Sequence, residues 1–286
     1  MMRSLWTAAS GMLAQQTSLD TISNNLSNVN TTGYKKDTVE FKSLLYQTLQ
    51  STSTNAAGEN KPVPAQVGLG TRVASITTVF SQGGLQETPN NTYMAIEGLG
   101  FFKVRDNDGN ICYTRDGSFG LQPVEGGTML CTSQGYPVLD QNNNPIIIPG
   151  EYRMEDLTVD REGNILVTQQ NGDKVPLTDM LNGQAYDKKI GLVQFNNPSG
   201  LSSIGGNLYQ ETAASSAPLE ESANPGLTKS LVHQGYIEMS NVQVADEMVN
   251  MIVTQRAYEM NSKAIQAADT MLQQANNLFS SELSGR

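Results

Sequence analysis

The residues that could take part in chemistry are few in this sequence and lie far apart. His233 is the only histidine, and no cysteine or group of carboxylates lies near it along the chain. As a catalytic base, His233 would need a nucleophile, and the chain has no Gly-x-Ser-x-Gly elbow to supply one. The sequence therefore predicts neither a metal centre nor catalysis at this histidine.

Two further segments resemble ligand-binding motifs but match them incompletely. Asp106–Asn110 begins like a calcium loop, yet its glycine stands at the fourth position and no glutamate stands at the twelfth. We predict a solvated β-turn there. Gly98–Gly100 lacks the third glycine of a dinucleotide-binding fingerprint, and Phe101–Phe102 have the character of strand core. We therefore predict no cofactor and no enzymatic activity.

The remaining charged and thiol groups also favour simple roles. Glu220–Glu221 lie in a linker rich in proline and alanine, so we predict solvated charges, and Arg115–Gly117 predicts a hairpin turn. Cys112 and Cys131 fit no zinc pattern. They are either two ordinary thiols, which we favour, or one bridge between neighbouring strands.

The composition excludes several classes of partner. The chain has 286 residues, 38% of them hydrophobic, and a formal net charge of −10. Its longest basic runs are the pairs Lys35–Lys36 and Lys188–Lys189, which argues against binding to nucleic acid or to anionic membranes. No apolar run is long enough for membrane insertion. Met1–Ser10 lacks the apolar region of a signal peptide, so secretion would need a route without signal cleavage.

Proline and glycine divide the chain into three parts. All 11 prolines lie between Pro62 and Pro225, and 22 of the 26 glycines lie between Gly58 and Gly226. Because both residue types disfavour helix interiors, the two flanks are free to be helical and the middle is not.

The N-terminal flank has the heptad pattern of an amphipathic helix, with one polar lapse at Gln15. We predict a helix from Leu5 to Val29 that ends before a left-handed turn at Gly33. The apolar positions are Leu5, Ala8, Met12, Leu19, Ile22, Leu26 and Val29.

The C-terminal flank repeats this pattern at greater length. We predict a helix from Asn241 to Phe279, with Ser240 and Gln243 as a possible capping box. The apolar stripe comprises Val242, Ala245, Val249, Ile252, Val253, Ala257, Met260, Ala264, Ala267, Met271 and Leu278.

The middle of the chain has the alternation of β-hairpins. Phe102–Val104 and Ile111–Tyr113 flank one turn, and Leu157–Val159 and Ile165–Val167 flank another. We predict an α+β fold in which two long terminal helices form a coiled-coil-like layer and extended arms join them to a central, hairpin-rich antiparallel β domain. The predicted division is 1–34, N-terminal helix; 35–84, extended arm or loop; 85–226, β-rich domain; and 227–286, return strand and C-terminal helix.

The two apolar stripes have two possible partners. They can pair with each other inside one molecule, or they can form the polymerisation interface of an assembly. The second helix would be about 58 Å long and the first about 38 Å. Part of the longer stripe would then stay uncovered, and a large exposed apolar patch is typical of an interface. We therefore favour assembly.

Several long segments resemble the flagellar rod and hook axial proteins of bacteria, and the resemblance runs from end to end. The segments that carry it are Ser4–Met12 (SLWTAASGM), Asn24–Lys35 (NNLSNVNTTGYK), Glu40–Tyr46 (EFKSLLY), Gly98–Phe102 (GLGFF), Tyr113–Phe119 (YTRDGSF), Gln234–Val242 (QGYIEMSNV), Glu247–Glu259 (EMVNMIVTQRAYE) and Asn261–Lys263 (NSK). Within this family, Ser4–Trp6 and the arm at Gln47–Gly70 look like the distal rod type. A proximal rod subunit is the alternative.

The resemblance implies a structural subunit of a rigid helical tube. The paired terminal helices, as the inner-core domain, would line an export channel, and the β domain would form the outer wall. The family resemblance also implies export through the flagellar secretion channel and a place in the basal-body rod that crosses the periplasm, where the rod transmits motor torque. The implied partners are further copies, other rod proteins, the hook protein and the surrounding ring proteins, without nucleic acid or membrane insertion. A globular binding module with an intramolecular helical hairpin is the alternative from a different class.

Overall fold

The chain forms two compact units in a computed structural model. The helical unit comprises Met1–Ser27, Asp37–Thr78 and Gln243–Arg286, and the β unit comprises Asn28–Lys36 and Val79–Val242. The structure describes residues 2–50, 65–150, 152, 157–168, 174–181, 184–224 and 226–284, with the backbone alone at 2, 50, 65, 179–181, 184–185 and 278–284. These boundaries differ from those predicted at 34, 84 and 226, because the contacts of residues 37–78 group them with the helices.

The helical unit contains the two terminal helices and two β-ribbons. Its elements are α1 (Met2–Ser27), β1 (Asp37–Ser43), β2 (Tyr46–Gln50), β3 (Ala65–Gly68), β4 (Thr71–Thr78) and α2 (Val244–Ser284). β1 pairs with β4 and β2 with β3, each antiparallel. Most of the described part of the predicted arm is therefore paired ribbon, because the chain returns along itself. Its most polar part, 51–64, lies outside the described residues.

The helix ends differ slightly from the predicted ones. α1 stops at Ser27, and the chain turns through Gly33, whose φ of +67° is the left-handed conformation expected there. α2 begins at Val244, three residues later than predicted. The Ser240 hydroxyl accepts a hydrogen bond from the Val242 amide before the helix starts. Ser240 thus shapes the approach to α2, while the Gln243 carbonyl oxygen accepts a hydrogen bond from the Glu247 amide in the first turn, at 3.1 Å.

The β unit contains hairpins joined into several small antiparallel sheets. Its strands are β5 (Leu85–Glu87), β6 (Met94–Glu97), β7 (Phe101–Arg105), β8 (Ile111–Thr114), β9 (Gly120–Val124), β10 (Gly127–Cys131), β11 (Ile147–Pro149), β12 (Leu157–Val159), β13 (Ile165–Thr168), β14 (Lys174–Pro176), β15 (Thr178–Leu181), β16 (Gln184–Asp187), β17 (Leu192–Gln194), β18 (Ser202–Gly205), β19 (Leu208–Gln210), β20 (Leu219–Glu220), β21 (Leu231–Gln234) and β22 (Tyr236–Glu238). The largest sheet has the order β18-β19-β8-β7-β17-β20. Two terminal helices and antiparallel strands confirm the α+β class.

One five-residue turn occurs four times in the described part of the β unit. It joins β7 to β8 at Asp106–Asn110 and β12 to β13 at Asp160–Asn164, as predicted, and it recurs at Asp140–Asn144 and at Thr132–Tyr136. In each copy the first amide donates to the fifth carbonyl oxygen, and the fourth amide donates to the first carbonyl oxygen. The fourth residue of each copy has a positive φ. Asparagine at that place in the third copy tolerates the left-handed region better than most side chains do.

The core lies on both faces of the six-stranded sheet. Successive side chains of a strand point to opposite faces, so Phe102 packs into the larger cluster and Phe101 into a smaller aromatic one. Both phenylalanines are completely buried, which confirms that Phe101–Phe102 are strand core. In the smaller cluster Phe101 meets Phe195 edge-to-face at 5.7 Å between ring centroids.

Replacement by alanine is expected to reduce stability by different amounts at two glycines of the β unit. At Gly109 (φ +84°) an added Cβ meets nothing within 4 Å, so Gly109→Ala is expected to cost only the left-handed strain, about 1–2 kcal/mol. At Gly117 an added Cβ would overlap the Met94 carbonyl oxygen, so Gly117→Ala must move backbone and is expected to cost more, about 3 kcal/mol. Urea unfolding of the two variants measures the difference. Equal losses of stability would contradict this account.

Candidate assembly surface and the buried junction cluster

Helix α2 packs against α1 inside the helical unit. The contact is close, since a Cβ added to Gly11 of α1 would lie 2.9 Å from Nδ2 of Asn261. The covered positions of α2 follow steps of three and four residues and include one residue of the predicted stripe, Ala257. They are Glu247, Met251, Thr254, Ala257, Asn261, Ile265, Ala268, Leu272 and Ala275, all buried or half-buried. The other residues of this seam are not in the predicted stripe.

The predicted stripe of α2 lies on the uncovered side of the helix. We call its large exposed members the outer stripe; they are Val249, Ile252, Val253, Met260 and Met271, each more than half exposed. At 3.6 residues per turn they fall within an arc of roughly 100°. Ala245, Ala264 and Ala267 are also exposed, while Ala257 is half-buried. α2 therefore has one face for its own chain and a second apolar face with no cover in the described structure.

Two predicted positions near the ends of α2 lie outside the outer stripe. Val242 is buried in the β unit, just before the helix begins. The side chain of Leu278 lies outside the described residues.

The predicted positions of α1 are buried or half-buried within the chain. Ala8 and Ile22 are buried. The other predicted positions, Leu5, Met12, Leu19, Leu26 and Val29, are half-buried, and Val29 lies in the turn beyond the helix.

The exposed apolar residues of α1 are two that the heptad count missed. Trp6 is 75% exposed and Leu13 is 67% exposed. Their spacing of seven residues could have identified them, because it places both on one face of the helix. They are exposed apolar residues on α1, in addition to those of the outer stripe on α2.

A buried ionic cluster lies in the β unit next to the segments that lead into the helical unit. The carboxylate of Glu238 accepts from Lys35 Nζ at 2.6 Å and from Arg115 Nη1 at 3.3 Å. All three side chains are at most 1% exposed. Arg115 also donates from Nη2 to the Gly98 carbonyl oxygen, and its guanidinium lies 5.1 Å from the ring centroid of Phe101. The predicted hairpin turn at Arg115–Gly117 was wrong, because β8 and β9 on either side of it do not pair with each other. Arg115 is a buried ion.

Asn241 extends this cluster to the backbone. Its Oδ1 accepts from the Lys36 amide at 2.8 Å, and its Nδ2 donates to the Val79 carbonyl oxygen at 2.8 Å. We call Lys35, Arg115, Glu238 and Asn241 the junction cluster.

Burial dominates the electrostatics of the cluster. Desolvation lowers the pKa of Lys35 and of Arg115, and the carboxylate of Glu238 partly offsets this effect for both groups. Nε of Arg115 has no hydrogen-bond partner within the described part of the chain. Both cations are paired with one carboxylate, that of Glu238, while Glu221 acts on Arg115 without a direct contact. Removal of the paired counter-charge of a buried ion is strongly destabilising.

Glu220 and Glu221 are the second place where the predicted roles were wrong. Glu221 is buried, and its carboxylate accepts from the Ser230 hydroxyl at 2.7 Å and from the Gln194 amide at 2.8 Å. Glu220 pairs with the buried Lys103 at 3.0 Å. The linker composition around them is polar, but its two acids are structural acceptors.

The other candidate residues have ordinary surroundings. His233 Nε2 lies 2.7 Å from the Glu97 carboxylate across β21 and β6. Cys112 and Cys131 are buried free thiols, which confirms the favoured alternative. A small cavity of about 110 Å³ is lined by Glu162, Lys189 and Glu221, among others. Among the described residues no cluster of possible metal ligands occurs, and no helix has the length and apolar character to cross a membrane.

Comparisons with known proteins match the chain in three places and along its whole length. Residues 5–35 match the family model described as flagella basal body rod protein, 95–167 the flagellar hook protein FlgE/F/G D1 domain, and 233–278 the flagellar basal body rod FlgEFG protein C-terminal. The flagellar basal-body rod protein FlgG of Borreliella burgdorferi is 48% identical over 97% of this chain and 99% of its own length. FlgG of Buchnera aphidicola subsp. Schizaphis graminum is 44% identical, over 97% and 100%. FlgG of Bacillus subtilis is 38% identical, over 97% and 99%.

Proposed function

The chain belongs to the flagellar basal-body rod protein family, and from this membership we infer that it is a structural subunit of the bacterial flagellar rod, of the distal type. Its full-length relatives from Borreliella, Buchnera and Bacillus are FlgG, the distal rod protein, which favours that type over a proximal subunit. The subunits polymerise into a rigid helical tube that passes motor torque to the hook and encloses part of the export channel. The chain has no enzymatic role in this proposal.

The outer stripe carries the proposal. Five large apolar side chains on one face of α2 are more than half exposed although the opposite face of the helix is covered by the chain itself. An exposed apolar surface of this kind is typical of a protein–protein interface. We propose that it packs against a neighbouring copy, together with Trp6 and Leu13 of α1. The β unit then faces the outside of the tube, towards the ring proteins.

The contact between α1 and α2 bears on the alternative from a different class. A globular binding module with an intramolecular helical hairpin would also pair the two helices. It would not need Val253 and Met260 to be apolar, because the chain leaves both uncovered. The outer stripe therefore favours the polymer over the closed module.

A photo-cross-linking experiment tests the proposed interface. Benzoylphenylalanine at Val253, in the source bacterium, is expected to yield adducts that contain only copies of this chain, in purified basal bodies. The same probe at the exposed Gln255, outside the outer stripe on α2, is expected to yield fewer such adducts. A Val253 probe that labels only other proteins would refute the interface, and absence of the chain from basal bodies would refute the function.

A further inference from the structure

The chain passes between its two units at four places, and three of them lie next to Asn241 or next to a residue that its side chain bonds. The passages are at 27/28, 36/37, 78/79 and 242/243. Lys36 and Val79 stand directly at two of them, and Asn241 stands one residue from a third. The hydrogen bonds of the β-unit segments beside these passages therefore show how the passages are held.

Backbone and side-chain hydrogen bonds tie these segments to one another within the β unit. The Gly33 amide donates to the Glu238 carbonyl oxygen at 2.8 Å, and the Val79 amide donates to the Lys36 carbonyl oxygen at 2.9 Å. The Met239 amide donates to the Gly84 carbonyl oxygen at 2.8 Å. The three segments 33–36, 79–84 and 238–241 thus hold each other in pairs.

Three side chains of the cluster, those of Lys35, Glu238 and Asn241, each contact more than one segment. Glu238 Oε1 accepts from Lys35 Nζ and from the Gly83 amide, and Lys35 Nζ also donates to the Ser81 carbonyl oxygen. Asn241 bonds to Lys36 on one side and to Val79 on the other. Removing one side chain therefore loosens two segments at once.

We propose that the junction cluster makes the three segments a single cooperative joint, which opens as one element and not bond by bond. In such a joint a force that enters through one of the four passages is shared by all of them, because no segment can move without the other two. This consequence rests on the proposed function, since a subunit of a torque-transmitting rod is loaded through these passages. The cooperative opening itself does not depend on it.

Native-state hydrogen exchange of the full chain tests the joint with Asn241→Ala. The amides of Gly33, Gly83 and Met239 are the probes, because none of them bonds to Asn241. Loss of the Asn241 hydrogen bonds is expected to speed exchange at all three by the same factor, roughly tenfold. The amide of Lys103, which bonds to the Gly191 carbonyl oxygen in the central sheet, is expected to keep its rate.

The matched control is Asn197→Ala. Asn197 also donates its side-chain amide to a backbone carbonyl oxygen in the β unit, that of Ala214, but it touches none of the three segments through this bond. It is expected to leave the three probe amides unchanged. If Asn241→Ala does not fold, Ser81→Ala removes one acceptor of Asn241 and makes the same comparison more mildly.

Two results would overturn the joint. Faster exchange at Lys36 alone, the amide bonded to Asn241, would mean that the bonds open independently. Equal acceleration at Lys103 would mean that the segments open only with the whole unit. Both results are measured on the purified chain. They are therefore independent of the cross-linking in basal bodies, which tests the proposed function.

Discussion

Val253→Asp is expected to abolish incorporation of the subunit into the rod while the purified chain keeps its fold. Val253 is 61% exposed, so the chain itself tolerates a charge there. In the proposed polymer the same carboxylate would be buried against a neighbour without a partner, and this costs several kcal/mol. A penalty of roughly 3 kcal/mol weakens a contact roughly 100-fold, and it would recur at every subunit of the tube. Completed rods counted by electron microscopy, together with swimming in soft agar, measure the effect.

The matched control for this variant is Gln255→Asp. Gln255 is exposed on the same helix but outside the outer stripe, so rods and swimming are expected to remain normal. A position on α1 such as Ile22 would be a poorer choice, because Ile22 is buried in the chain and an acid there would unfold the helical unit. Normal rods from Val253→Asp would remove the outer stripe from the interface.

Glu238→Gln is expected to destabilise the β unit strongly. The substitution leaves the buried cations of Lys35 and Arg115 without their counter-charge. Breaking a buried ion pair on one side costs about 3–5 kcal/mol. Urea unfolding, followed by the fluorescence and circular dichroism of the purified chain, measures this loss as a lower midpoint.

The comparison for this prediction is Glu97→Gln. Glu97 also pairs with a base, His233, at 2.7 Å, but its side chain is 56% exposed. An exposed pair contributes only about 0–1 kcal/mol, so the midpoint is expected to move little. If both variants lose the same stability, then burial does not make the ion pairs of Glu238 contribute more to stability than an exposed pair. The junction cluster would then be equivalent to a surface network.

The hairpins of the β unit were predictable because their information is local. An aspartate, a glycine and an asparagine at fixed places within five residues specify the turn, and alternating apolar residues on both sides specify the strands. The turns at Asp106–Asn110 and Asp160–Asn164 were found in this way. The copy at Asp140–Asn144 was missed because asparagine replaces glycine at the left-handed position. The copy at Thr132–Tyr136 was missed because it lacks the aspartate and the asparagine.

The ionic cluster was not predictable because its members are distant in the chain. Lys35 and Glu238 are 203 positions apart, and Arg115 lies 123 positions from Glu238. Each is a charged residue, for which solvation is the ordinary expectation. Only the fold brings them together.

The face of α2 that meets α1 was missed for another reason. Counting large apolar residues selects the outer stripe, whereas the covered seam includes Glu247, Thr254 and Asn261. The seam can be polar because α1 meets it with small residues such as Gly11, which bring the helices close. Apolar periodicity therefore identified a candidate surface for other molecules and not the one that closes the chain.

Because its two cysteines are buried, the folded chain is expected to take up little thiol-reactive label. Cys112 and Cys131 are the only thiols, both are buried, and desolvation raises the pKa of each, so few thiolates are available to react with a maleimide. A cysteine introduced at Trp6 or Met260, both well exposed, would be the one readily labelled position in the folded chain. Spin labels or fluorophores placed there can report distances between neighbouring subunits without removal of the two native cysteines.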